Sequence, residues 1–182
     1  MKQLMIRLTM FAGSFLLLGN FALVAQSDEE KTDIARSKEA IGDFLEADKG
    51  MQSFFSNSYG FAIFPAVGKG AIGIGGAHGN GILFKGGQPY GTTEMTQVSI
   101  GFQWGGQSYM EVIFMEDKRA FDDFAEGKTK LAAQASAVAA TAGASADAGY
   151  NDGVAIFTLV HGGLMYEASV GGQKFKFREF KE

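Results

Sequence analysis

The sequence predicts an α+β fold. Its centre is a strongly bent antiparallel β-sheet, or partly closed barrel, of Gly/Ala-rich strands, with an N-terminal helix and one mid-chain helix packed on it. Three observations lead there. Short apolar or alternating runs recur from residue 59 onward, at strand period. Two segments, near residues 28–45 and 116–126, carry apolar residues at helical spacing instead. Between residues 71 and 81, every second residue is Gly or Ala.

The chain has 182 residues, which suits one domain with a short appendage. Residues 1–25 read as a secretory signal peptide: Lys2 and Arg7, an apolar run from Leu8 to Ala25, then Gln26 as a new N-terminus. Leu23 is larger than the usual residue at its place before the cleavage site, and the alternative is an uncleaved membrane anchor. Export to the periplasm or cell envelope is the expected localisation. The chain has no cysteine, which excludes a lipoprotein anchor, disulfides and thiolate chemistry.

Ser27-Asp28-Glu29-Glu30 has the form of a capping box and predicts a helix from the start of the mature chain. Ile34, Ile41, Phe44 and Leu45 share one face of it, while Asp33, Glu39, Asp43 and Glu46 make the other face acidic. The acidic face lacks the basic bias of a membrane-surface helix, so the apolar face is read as packing on the sheet. Met51, Phe54 and Phe55 suggest a second short helix. Residues 26–58 thus form a helical segment ahead of a glycine-rich β core at 59–182.

FAIF opens the core as a short apolar strand, and Pro65 marks a bulge or an edge because it cannot donate to a ladder. Residues 86–91 read as a turn, 96–104 and 109–115 as strands, and 116–126 as a helix stopped at Gly127. Residues 131–148 are alanine-rich and fit either a helix or a small-residue strand. Asn151-Asp152-Gly153 is a turn, 154–160 and 164–170 are strands, and Gly171-Gly172 has the composition of a hairpin turn.

The small residues explain the bent sheet. Ala71, Gly73, Gly75, Ala77, Gly79 and Gly81 leave one face of a strand nearly bare, so another backbone or an acyl chain can come close. Asn80-Gly81 is also a hairpin signal within the same run. Gly101 and Gly105 repeat the habit opposite Ile100, Phe102 and Trp104.

Several function classes are disfavoured. Gly68, Gly70 and Gly73 match the letters of a dinucleotide fingerprint, but no helix can start on the glycine-rich sequence that follows. There is no phosphate-loop lysine motif and no nucleophile elbow. His78 and His161 are the only histidines, and no paired-ligand spacing accompanies them. The net charge is −4, and −6 once Lys2 and Arg7 are removed, which is not the footprint of a nucleic-acid binder. The expectation is a non-catalytic protein without a cofactor, metal, nucleotide or nucleic acid.

The chain resembles the SYLF domain family. The residues that carry the resemblance are Tyr59 to Pro65, Gly73 to Leu83, Val98 to Gln107, Phe121 and Phe124, and Gly162 to Tyr166 with Gly171. Together they cover roughly residues 35–177. The resemblance implies lipid binding without catalysis; eukaryotic members bind phosphoinositides and can engage actin. This chain departs from those members in lacking a partner domain and in its acidic N-terminal helix. The expected ligand is therefore a phospholipid or membrane surface, with no protein partner identified. The alternative is a structural or protein-interaction domain of the periplasm. The lipid-contacting candidates are Lys174, Lys176 and Arg178 on one face of the last strand, Phe175 and Phe177 on the other, and Lys69 and Lys85 as an extension.

Overall fold

A computed structural model describes residues 28–69, 76–98, 108–129, 137–138, 144–146, 148–160, 163–167 and 172–181. The chain separates into two compact units, residues 1–35 and 36–182. Helix α1 covers residues 28–47, and within its first turns Lys31 pairs with Asp28. Ser27 and the signal-peptide segment lie outside the described residues.

The second unit is built on one antiparallel sheet. Its strands are β1 (Gly60–Lys69), β2 (Gly76–Lys85), β3 (Gln88–Val98), β4 (Tyr109–Met115), β5 (Ala137–Val138), β6 (Val154–Val160), β7 (Gly163–Glu167) and β8 (Gln173–Glu179). Helices α2 (Met51–Asn57) and α3 (Lys118–Ala125) complete it, with a short 3₁₀ turn at Ala144–Ala146. The strand order is β5-β7-β6-β4-β1-β2-β3-β8.

The sheet is strongly curled. β4 and β8 have three strands between them, so a flat sheet would hold them about 19 Å apart. Instead, Gln173 at the start of β8 donates from Nε2 to Glu111 Oε2 on β4 at 3.0 Å. The ring of Phe64 on β1 lies 6.1 Å from that of Phe175 on β8. Among the described residues no ladder joins the two edges, so the curl stays open. This is the bent antiparallel sheet with helices that the composition predicts.

Two apolar layers follow from the curl. The concave side gathers Phe64, Val67, Leu83, Met95, Ile113, Ile156 and Phe175, and α3 inserts Phe121 and Phe124 into it. The convex side presents Phe61, Phe114 and Phe157 to α2. There Phe54 meets Phe157 and Phe114 at 5.0 and 5.4 Å, and Phe55 meets Phe114 and Phe61 at 4.9 and 5.1 Å. Strands covered on both faces need continuous apolar runs. That is why Phe61 to Phe64, Val112 to Met115 and Val154 to Phe157 are buried without alternation. Each fully buried Phe contributes about 1.5–3 kcal/mol.

Pro65 sits at a bulge, where the β1–β2 register shifts between Ile63 and Ala66. The bulge brings the β1 backbone close to β2. A Cβ on Gly81 would lie 2.3 Å from the Ile63 carbonyl oxygen and 2.7 Å from Phe64. One on Gly79 would lie 3.0 Å from Val67. At these two positions the close neighbour is the chain's own β1. Ala77 is buried alongside them, whereas Ala71, Gly73 and Gly75 lie outside the described residues.

Several local expectations change. Asn80-Gly81 does not turn the chain but runs through β2, opposite Glu94 and Thr93. The turn is Gly86-Gly87, both at positive φ, and Gln88 to Gly91 already belong to β3. The hairpin expected at Gly171-Gly172 does not appear in the described ladders: Gly171 lies outside the described residues, β7 pairs with β5 and β6, and β8 pairs with β3. Residues 99–107, which include Gly101 and Gly105, lie outside the described residues. The alanine-rich segment contributes the two-residue β5 and the 3₁₀ turn.

Candidate functional site

β8 is an edge of the described sheet, hydrogen-bonded to β3 alone. Its alternation places Lys174, Lys176 and Arg178 on the exposed face, while Phe175 is buried and Phe177 half-buried on the other. The three cations face outward in one row. Across the ladder they stand beside Thr96, Glu94 and Thr92, and one strand further lie His78 and Asn80. Arg178 Nε donates to Thr92 Oγ1 at 3.4 Å, which helps align the row. Glu94 is the carboxylate in register with it, opposite Lys176.

The row is anchored from behind. Phe175 packs 4.7 Å from Phe124 and Phe177 stacks 5.5 Å from Tyr90, so both rings belong to the concave core side. Phe175, only 6% exposed, holds the strand in place rather than meeting a ligand.

Lys85 stands apart from the row. It ends β2 on the concave side, with its Nζ 5.1 Å from the Tyr90 ring centroid, 5.6 Å from Phe121 and 5.9 Å from Tyr59. Lys69 ends β1, paired with Ala77. Of the predicted basic residues, the structure therefore brings Lys174, Lys176 and Arg178 together and separates Lys85 from them.

A buried polar tie has no counterpart among the sequence expectations. Asp48, after α1, accepts from Gly50 N at 2.8 Å, Ser145 N at 3.0 Å and Ser145 Oγ at 2.7 Å. It joins the α1–α2 corner to the alanine-rich segment. Asp48 followed by Gly50 is an Asx-turn signal, but its partner 97 residues away has no sequence signature.

No group of three or more His, Asp or Glu residues is placed to hold a metal among the described residues. His78 is half-buried on β2, and His161 lies outside the described residues.

Residues 96–181 match the family model Ysc84, described as "Las17-binding protein actin regulator". The chain is also similar to beta cell expansion factor A of Aeromonas veronii, 29% identical over 124 residues. That alignment covers 66% of this chain and 46% of the relative, so the chain spans less than half the relative's length. Both similarities are of the SYLF type, in agreement with the resemblance read from the motifs.

Proposed function

We propose that this chain, a SYLF-type domain by its match over residues 96–181, is a non-catalytic phospholipid-binding module of the cell envelope. The observation that carries the reading is the row Lys174, Lys176 and Arg178. Three cations at alternate positions on one exposed strand present their charge to a single plane, about 7 Å apart. Each lysine or arginine near an anionic membrane contributes about 1 kcal/mol. Among the described residues of that face the three cations meet one carboxylate, Glu94 opposite Lys176, which leaves a local excess of positive charge on a net negative chain. Under this reading residues 1–25 direct export, and catalysis has no part.

Sedimentation of the chain with vesicles containing anionic phospholipid, at low and moderate salt, tests it. Binding that weakens with salt is expected; no binding to any phospholipid overturns it.

A second reading has its own support. Lysines on an edge strand also block edge-to-edge pairing with other chains. On that reading the module is a structural or protein-interaction domain, and a stoichiometric protein partner with no retained lipid would favour it.

A further inference from the structure

Three aromatic rings converge on the Lys85 ammonium. The Tyr59, Tyr90 and Phe121 centroids all lie within 5.1–5.9 Å of Nζ, the range in which a ring face attracts a cation. The rings are held before any ligand arrives. Phe121 is buried in the concave core. Tyr59 and Tyr90 pack against it at 5.5 and 5.7 Å, and Tyr90 is stacked in turn on Phe177. Backbone bonds fix the Tyr59 segment, since its N–H donates to the Met115 carbonyl and its carbonyl accepts from Gly86.

The surroundings are acidic. The Tyr90 hydroxyl donates to the Glu179 carboxylate, and that bond raises the phenol pKa, with burial and the Glu179 and Asp122 charges adding to it. Lys118 is the other cation of this region, and it is tied to Asp122. Lys85 is exposed and forms no salt bridge among the described residues.

We propose that Tyr59, Tyr90 and Phe121 form a binding site for a quaternary ammonium group, which Lys85 occupies from within the chain. A primary ammonium is strongly hydrated and carries three donors that rings satisfy poorly. A trimethylammonium has no donor, is broader, and fills a three-ring site at less desolvation cost. Lys85 is thus an exchangeable plug on a flexible stem. The site lies on the opposite side of the sheet from Lys174, Lys176 and Arg178 and does not depend on them. The shared chemistry is that of a choline headgroup, on a lipid or free in solution.

The experiment follows the Tyr and Phe ring resonances of the full chain by NMR during titration with tetramethylammonium chloride, against sodium chloride at equal ionic strength. Phosphocholine and phosphatidylcholine vesicles form two further arms. The expected result is a saturable shift confined to Tyr59, Tyr90 and Phe121 that sodium does not produce. Lys85→Ala is expected to tighten binding about fivefold, and Tyr90→Leu to weaken it about fivefold. Tyr59→Leu serves the same purpose if the Tyr90 variant does not fold. Response to both phosphocholine and vesicles assigns a lipid headgroup; response to phosphocholine alone assigns the free cation. If Lys85→Ala leaves these rings no more responsive to tetramethylammonium than to sodium, the proposal is overturned. Because this assay uses a soluble cation and the phospholipid reading is tested on anionic vesicles, either can fail without the other.

Discussion

Gln173 and Glu111 meet at 3.0 Å across the inside of the sheet, although their strands are four positions apart in strand order. The bond joins the first residue of β8 to the middle of β4 and marks how far the sheet has curled. It is buried, with Glu111 fully inside and Gln173 7% exposed. Removing the donor leaves a buried carboxyl with one partner fewer. Gln173→Ala is expected to cost about 1–3 kcal/mol in urea denaturation. A cycle with Glu111→Ala should show coupling above about 0.5 kcal/mol, because the two residues are in contact.

The glycines of β1 and β2 have different neighbours, so they should respond differently. A methyl at Gly81 would press on the Ile63 carbonyl and the Phe64 ring, and both are fixed by the bulge. Gly81→Ala is expected to destabilise by about 1–3 kcal/mol or more. A methyl at Gly68 on β1 would meet nothing within 4 Å, so Gly68→Ala should be neutral or slightly stabilising. Thermal melts of the two variants decide whether close approach is the reason for Gly81.

Asp48 is expected to matter more than its position at a helix corner suggests. Its carboxylate accepts from Gly50 N and from both the N–H and the hydroxyl of Ser145. Ser145→Ala should cost about 1 kcal/mol, and Asp48→Ala about 2 kcal/mol or more, because it takes the acceptor from the buried Ser145 N–H and O–H at once. Loss of hydrogen-exchange protection at Ser145 N in Asp48→Ala would show that this carboxylate holds the 3₁₀ turn.

Tyr150 predicts a pH dependence. Burial, with Glu116 adding to it, pushes its pKa from 10.0 to about 12. The raised value means that the folded state holds the phenol proton more tightly than the unfolded state. The associated stability is complete below pH 10 and is lost as pH rises toward about 12. Tyr150→Phe keeps the ring against Phe54, at 5.7 Å in the parent, and removes the titrating hydroxyl. Its melting temperature should fall less than the parent's across that window.

The sequence foretold local features well. β4 and β6 match the runs YMEVIFM and VAIFTLV, because strands buried on both faces have a continuous apolar composition. Pro65 at the bulge and Gly127 after α3 were likewise legible from backbone chemistry. Non-local pairing was not. Gly172 adopts positive φ as a turn glycine would, yet β8 pairs at the far end of the sheet from β7. Strand order depends on curvature and on contacts distant in sequence, which turn composition does not record. The same limit governed the basic residues. Alternation alone put Lys174, Lys176 and Arg178 on one face, whereas the face of Lys85 depended on the turn at Gly86-Gly87 and on α3.

On the proposed function, the outward row of β8 meets anionic phospholipid. Charge reversal of that row, Lys174→Glu with Lys176→Glu and Arg178→Glu, tests it most directly when compared with Lys118→Glu with Lys128→Glu on the α3 side. Affinity for anionic vesicles at low salt should fall about a hundredfold or more in the first variant and change little in the second. A triple variant that still folds and binds those vesicles as tightly as the parent would show that the row does not meet the membrane.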